Sequence, residues 1–140
     1  MRLVLSCSLF VLALAGCDTN PTTDTVPSLA GAWRWISSTD VESGEVHLPT
    51  TEGYDARLTF APDGDRAGTY RYARVGGEAA LVVDGRYTVS YEDAPGNDFI
   101  GIDSPIDFLD EAAWIGLGSD TLRLGGVFES GYTTLYARER

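Results

Sequence analysis

The chain has 140 residues, 44% of them hydrophobic, and carries 21 acidic residues against 10 cations, every one of the latter an arginine. That length supports one domain with a modest core. The formal charge of −11 argues against a nucleic-acid partner, which needs clustered positive charge to hold phosphates. Short alternating runs of Val, Ile, Leu, Tyr, Phe and Trp recur along the chain and argue against disorder throughout.

Residues 1–16 hold one cation, Arg2, followed by a nearly unbroken apolar stretch from Leu3 to Leu14. A permanent spanning helix needs ~20 residues, so this stretch reads as a signal peptide. It closes Leu14-Ala15-Gly16-Cys17, which resembles the lipobox of bacterial lipoproteins. The resemblance implies a diacylglycerol on the Cys17 thiol, cleavage just before it, and acylation of the new amino terminus by palmitate or a similar chain. Cys7 would leave with the leader, so the processed chain holds a single cysteine and cannot form an internal disulfide.

Residues 17–28 follow as the lipidated cysteine and a tether, with Val26 the only apolar side chain besides the prolines. Such a segment buries too little to offset its ordering entropy and is expected to be flexible. Two or three acyl chains hold a protein firmly at a bilayer, so the expected partner is a membrane and the expected address the cell envelope. Asp18, directly after the cysteine, resembles an inner-membrane retention signal of some enteric bacteria. In other lineages acidic residues near that place accompany surface export. The outer membrane is favoured over the inner, with the face left open.

Residues 29–140 alternate between apolar and polar side chains, with turn residues between the alternations, which predicts an all-β antiparallel domain. The first strand is expected at Trp33 to Ile36, with Trp33 and Trp35 on one face. A second runs from Tyr54 to Phe60, turning Tyr54, Ala56, Leu58 and Phe60 together. Pro62-Asp63-Gly64-Asp65 is a turn by composition, and a third strand covers Thr69 to Val75. Asp84-Gly85 is a favoured hairpin pair and predicts strands on either side of it. One face would then collect Ala80, Val82, Tyr87, Val89 and Tyr91. Further strands are expected at Ala113 to Leu117, Thr121 to Phe128 and Tyr132 to Arg138. Eight is the count, or nine if Phe99 to Ile102 adds one; Pro105 to Glu111 reads as a short helical turn. The arrangement expected is a small up-and-down eight-stranded barrel, whose closure removes exposed edges. An open two-sheet sandwich is the alternative.

Leu29-Ala30-Gly31-Ala32-Trp33 resembles the Gly-x-Trp motif that opens lipocalins and bacterial lipocalin-like domains. Leu58 to Gly64, Gly85 to Val89, Asp120 to Leu124 and the closing Tyr136-Ala137-Arg138 are similar to successive motifs of the bacterial group, in the expected order. The resemblance implies a barrel whose first-strand tryptophan plugs the closed end under an arginine of the last strand. In this chain those residues are Trp33 and Arg138, a guanidinium over an indole face. The chain is shorter than secreted lipocalins and lacks their disulfides and long carboxy-terminal helix.

Little points to catalysis. His47 is the only histidine, no Gly-x-Ser-x-Gly elbow is present, and Cys17 is assigned to lipid. Asp63 and Asp65, like Asp103, Asp107, Asp110 and Glu111, lack the spacing of a calcium loop and read as solvated surface. No enzyme, metal or cofactor is expected. Aromatic residues are the more informative group: Tyr70, Tyr72 and Arg74 share a face, as do Tyr87 and Tyr91, and Trp114 starts a strand. These six are candidates to line a cavity for a small hydrophobic or amphipathic ligand, with hydroxyls orienting it. The competing expectation is that the aromatics simply fill a narrow barrel, leaving a structural or protein-interaction role.

Overall fold

The computed structural model describes residues 28–90, 98–126 and 131–140. Nine strands are present among the described residues: β1 (Gly31–Asp40), β2 (Val46–His47), β3 (Tyr54–Pro62), β4 (Ala67–Gly76), β5 (Leu81–Ser90), β6 (Phe99–Ile102), β7 (Ala112–Leu117), β8 (Thr121–Gly126) and β9 (Tyr132–Arg138). A four-residue helix, α1 (Pro49–Glu52), precedes β3 and ends at Gly53, whose φ of 72° is the left-handed conformation that caps helices. No helix among the described residues is long and apolar enough to cross a membrane.

Every pairing is antiparallel, in the order β2-β1-β3-β4-β5-β6-β7-β8-β9, and β1 also pairs with β9. Eight strands therefore close into an up-and-down barrel, and β2 extends one rim alongside β1. The seam runs from Trp33 opposite Arg138 to Asp40 opposite Tyr132. A register shift between Trp35 and Ser37 marks a bulge. An extra residue in one strand moves the following side chains to the other face, and here it turns Ser38 inward, where it is buried.

The expected faces of β1, β3 and β4 are present. Trp33, Trp35, Ala56, Leu58, Phe60, Tyr70 and Tyr72 are all buried. Leu122 and Leu124 of β8 and Ile100 of β6 join them. Each such aliphatic side chain contributes about 1.5–3 kcal/mol by leaving water. The sandwich alternative is excluded by the β1–β9 pairing.

Two local expectations are overturned. Asp84-Gly85 is not a hairpin: β5 runs unbroken through it, with Asp84 opposite Arg71 and Gly85 opposite Tyr70. Glycine is needed there for space rather than for a turn, because a Cβ would fall 2.6 Å from Cε1 of Tyr70. Continuity of the strand reverses the faces before it, so Val82 is 51% exposed while Leu81 and Val83 pack against the core. The eighth barrel strand is instead β6, the segment expected as a ninth. Pro105 to Glu111 is not helical either: Ile106 and Leu109 exchange both backbone hydrogen bonds, each 3.1 Å, across Asp107 and Phe108.

Candidate functional site at the barrel mouth

The two ends of the barrel differ. At the closed end the Arg138 guanidinium lies 4.1 Å above the Trp33 ring, as the motif resemblance implied. Arg138 also donates to the carbonyls of Ser119, Ala30 and Ser28, and the Trp33 indole N–H donates to Leu29 at 2.9 Å. A fully buried indole is thus covered by a cation whose own donors are engaged by backbone.

The opposite end carries Asp40, Tyr54, Gly76 and Tyr132, and residues 103–111 cross it. The segment leaves β6 beside β5, where Asp103 accepts the Arg86 backbone N–H at 3.0 Å. Its next carbonyl, on Ser104, accepts from the Tyr70 hydroxyl at 2.7 Å. Asp107 then takes two donors on one oxygen: the Tyr72 hydroxyl at 2.8 Å and Arg74 Nη1 at 2.9 Å reach Oδ2. Phe108 reaches the far wall. Its ring stacks on Trp35 at 5.5 Å and meets Tyr132 edge-on at 4.9 Å. Ile106 and Leu109 are buried. Phe108 has φ 60°, the only non-glycine residue of positive φ among those described, and for a bulky side chain that conformation is strained.

Burial of phenols sets the electrostatics of this end. Tyr72 is pushed far above its usual pKa of 10.0, first by desolvation and then by its bond to the Asp107 carboxylate. Tyr136 is raised by burial and by the charge of Asp107, and Tyr54 and Tyr70 are raised by burial first. All four are neutral donors at ordinary pH. Arg74 lies over the Tyr54 ring at 5.0 Å, and its side chain is 25% exposed. Its Nε is buried with no hydrogen-bond partner among the described residues.

Behind the segment, the Trp35 indole N–H donates to Ser38 Oγ at 3.0 Å, and that hydroxyl shares a 2.9 Å hydrogen bond with Thr134 Oγ1. His47, a loop histidine by expectation, lies in β2 and is half-buried against Phe108 and Tyr132, with Nδ1 2.8 Å from Glu52 Oε1. Among the described residues no group of His, Cys, Asp and Glu is arranged to hold a metal ion.

Of the expected lining residues, Tyr70, Tyr72 and Arg74 come together at the mouth, while Tyr87 is buried deeper, edge-on to Phe60 at 5.1 Å. Trp114 is not with them. Its strand turns Ala113 and Ile115 inward and Trp114 outward, where the indole lies over Gly125 so closely that any Cβ there would collide with it. Tyr91 and Cys17 fall outside the described residues. Asp107, read from sequence as solvated surface, is the polar centre of the site; its partners lie 35 and 33 residues away in the chain, so no local pattern marks it. The one available sign was Ile106, Phe108 and Leu109 in a stretch too irregular for a strand, apolar groups that had to be covered by something. No family model, no curated protein and no solved structure matches the chain.

Proposed function

We propose that the chain is a lipid-anchored protein of the bacterial cell envelope whose lipocalin-like barrel takes a small amphipathic molecule at its mouth. The observation that carries the ligand reading is Arg74. This guanidinium lies on the inner wall over the Tyr54 ring, donates to Asp107 and to the Ala79 carbonyl, and keeps a buried Nε with no hydrogen-bond partner among the described residues, a donor that an added group could engage. The lipobox supports the anchor: Cys17 follows Leu14-Ala15-Gly16, and the tether after it has almost nothing to bury.

A second reading is a filled barrel with a structural or protein-interaction role. It is favoured by the occupied interior, where Trp33, Trp35, Tyr72 and Tyr136 are each 2% exposed or less. Native mass spectrometry of the chain purified from its own envelope separates the two. Ligand binding predicts a copurified small molecule that is lost in Arg74→Met; a clean mass for the wild type favours the filled module. Radioactive palmitate labelling tests the anchor separately. Incorporation should vanish in Cys17→Ala, and unchanged incorporation would refute the attachment.

A further inference from the structure

We infer that Tyr72 and Arg74 form a binding site for the carboxylate of a small apolar acid, and that Asp107 with its apolar neighbours is the chain's own stand-in for that ligand. The inference deepens the reading that the mouth takes a ligand, and rests on it.

The chemical class follows from what occupies the site now. A carboxylate oxygen receives a phenol at 2.8 Å and a guanidinium nitrogen at 2.9 Å, the pair of donors that an acid head group would need. Around it the segment presents Ile106, Phe108 and Leu109, so the present occupant is an anion embedded in an apolar body. Asp107 fits imperfectly. Both bonds fall on Oδ2, and Arg74 Nε is left buried without an acceptor among the described residues. Guanidinium presents a planar fork suited to two carboxylate oxygens at once. Asp107 takes Nη1 alone, whereas a free acid can meet Nη1 and Nη2 end-on, drawing Nη2 from the Ala79 carbonyl to which it now donates at 3.4 Å.

The segment is joined to the barrel by side chains rather than by a ladder. Among the described residues its backbone between Ser104 and Asp110 makes backbone hydrogen bonds only in the Ile106–Leu109 exchange, and barrel side chains hold it at the Ser104 carbonyl, from Tyr70, and the Phe108 carbonyl, from Thr134. Phe108 pays a conformational penalty at φ 60° that relaxes once the turn leaves the mouth. Trp35, Tyr54 and Tyr132 would remain as aromatic walls for the incoming body. Because segment and ligand compete for one site, the apparent affinity equals the intrinsic affinity reduced by the fraction of open barrel. Weakening the internal carboxylate should therefore strengthen binding of an external one.

The test is calorimetric titration of the full lipidated chain in lipid nanodiscs, with empty nanodiscs as blank. The probes are 4-phenylbutyrate and its neutral analogue 4-phenylbutanol. The acid should bind saturably and at least tenfold more tightly than the alcohol. Asp107→Asn should tighten the acid by about tenfold, and Arg74→Met should reduce it to the level of the alcohol. Equal binding of acid and alcohol by the wild type, unaffected by Arg74→Met, would overturn the carboxylate site while leaving a ligand-binding mouth. Absence of binding by both probes, to wild type and Asp107→Asn alike, would overturn the mouth reading as well. Near-UV circular dichroism from the stacked Trp35 reports whether each variant is folded, and the acid-against-alcohol comparison on the wild type decides without any variant.

Discussion

Tyr70 lies against the backbone of Gly85 on the neighbouring strand, so that a Cβ built on the glycine would sit 2.6 Å from both Cε1 and the hydroxyl oxygen of the tyrosine. Gly85→Ala should therefore destabilise the barrel by about 1–3 kcal/mol, the usual range for overpacking a filled core. Urea unfolding measures it. An unchanged midpoint would mean that Tyr70 does not cross the strand there.

Ser38 joins two buried groups, the Trp35 indole N–H and the Thr134 hydroxyl. Ser38→Ala leaves the indole donor without its acceptor, and a buried donor so orphaned costs about 1–3 kcal/mol. Thermal and urea unfolding should agree on a loss of that order. Thr134→Ala should cost less, since Ser38 can still accept from the indole.

At the closed end, Arg138→Ala removes a guanidinium from the Trp33 face and frees three carbonyls. A half-buried cation over an indole is worth about 0.5–2 kcal/mol, and a loss within that range is expected. Arg138→Lys should restore less than half, because an ammonium cannot reach three acceptors from one plane. Full rescue by lysine would show that charge alone matters there.

The buried phenols set an alkaline limit. Tyr72, Tyr136, Tyr70 and Tyr54 all have pKa values raised above the ordinary 10.0, with desolvation the first cause in each. Above pH 10 the unfolded chain loses these protons while the folded chain holds them longer, those of Tyr72 and Tyr136 most of all. Stability is then level below that pH and falls as pH rises further, by about 1.4 kcal/mol per unit for each of Tyr72 and Tyr136, whose shifts are the large ones. Tyr136→Phe should make the decline shallower by one phenol, measured as unfolding midpoints between pH 9 and pH 12. An unaltered slope would place the Tyr136 hydroxyl in water.

Alternation made much of the barrel legible in advance. It assigned Tyr54, Ala56, Leu58 and Phe60 to one face, and Tyr70, Tyr72 and Arg74 to another. It failed where one residue type serves two physical needs. Gly85 beside Asp84 has the composition of a turn, yet the glycine makes room for Tyr70. Trp114 at the start of a strand is a candidate to line a cavity, but Gly125 opens a shelf for the indole on the outer wall, and small Ala113 faces the core. Asp107 was illegible for a different reason. A carboxylate whose partners stand more than thirty residues upstream looks like any other acid in a chain that has 21 of them.

The position of Phe108 offers the most direct test of a mouth occupied by its own chain. Nuclear Overhauser contacts from the Phe108 ring should reach the rings of Trp35 and Tyr132 in the ligand-free protein, given centroid separations of 5.5 and 4.9 Å. They should fade as 4-phenylbutyrate is added. A Phe108 ring with no contact to either residue before addition would contradict the closed mouth, and contacts that persist at saturating acid would contradict its displacement.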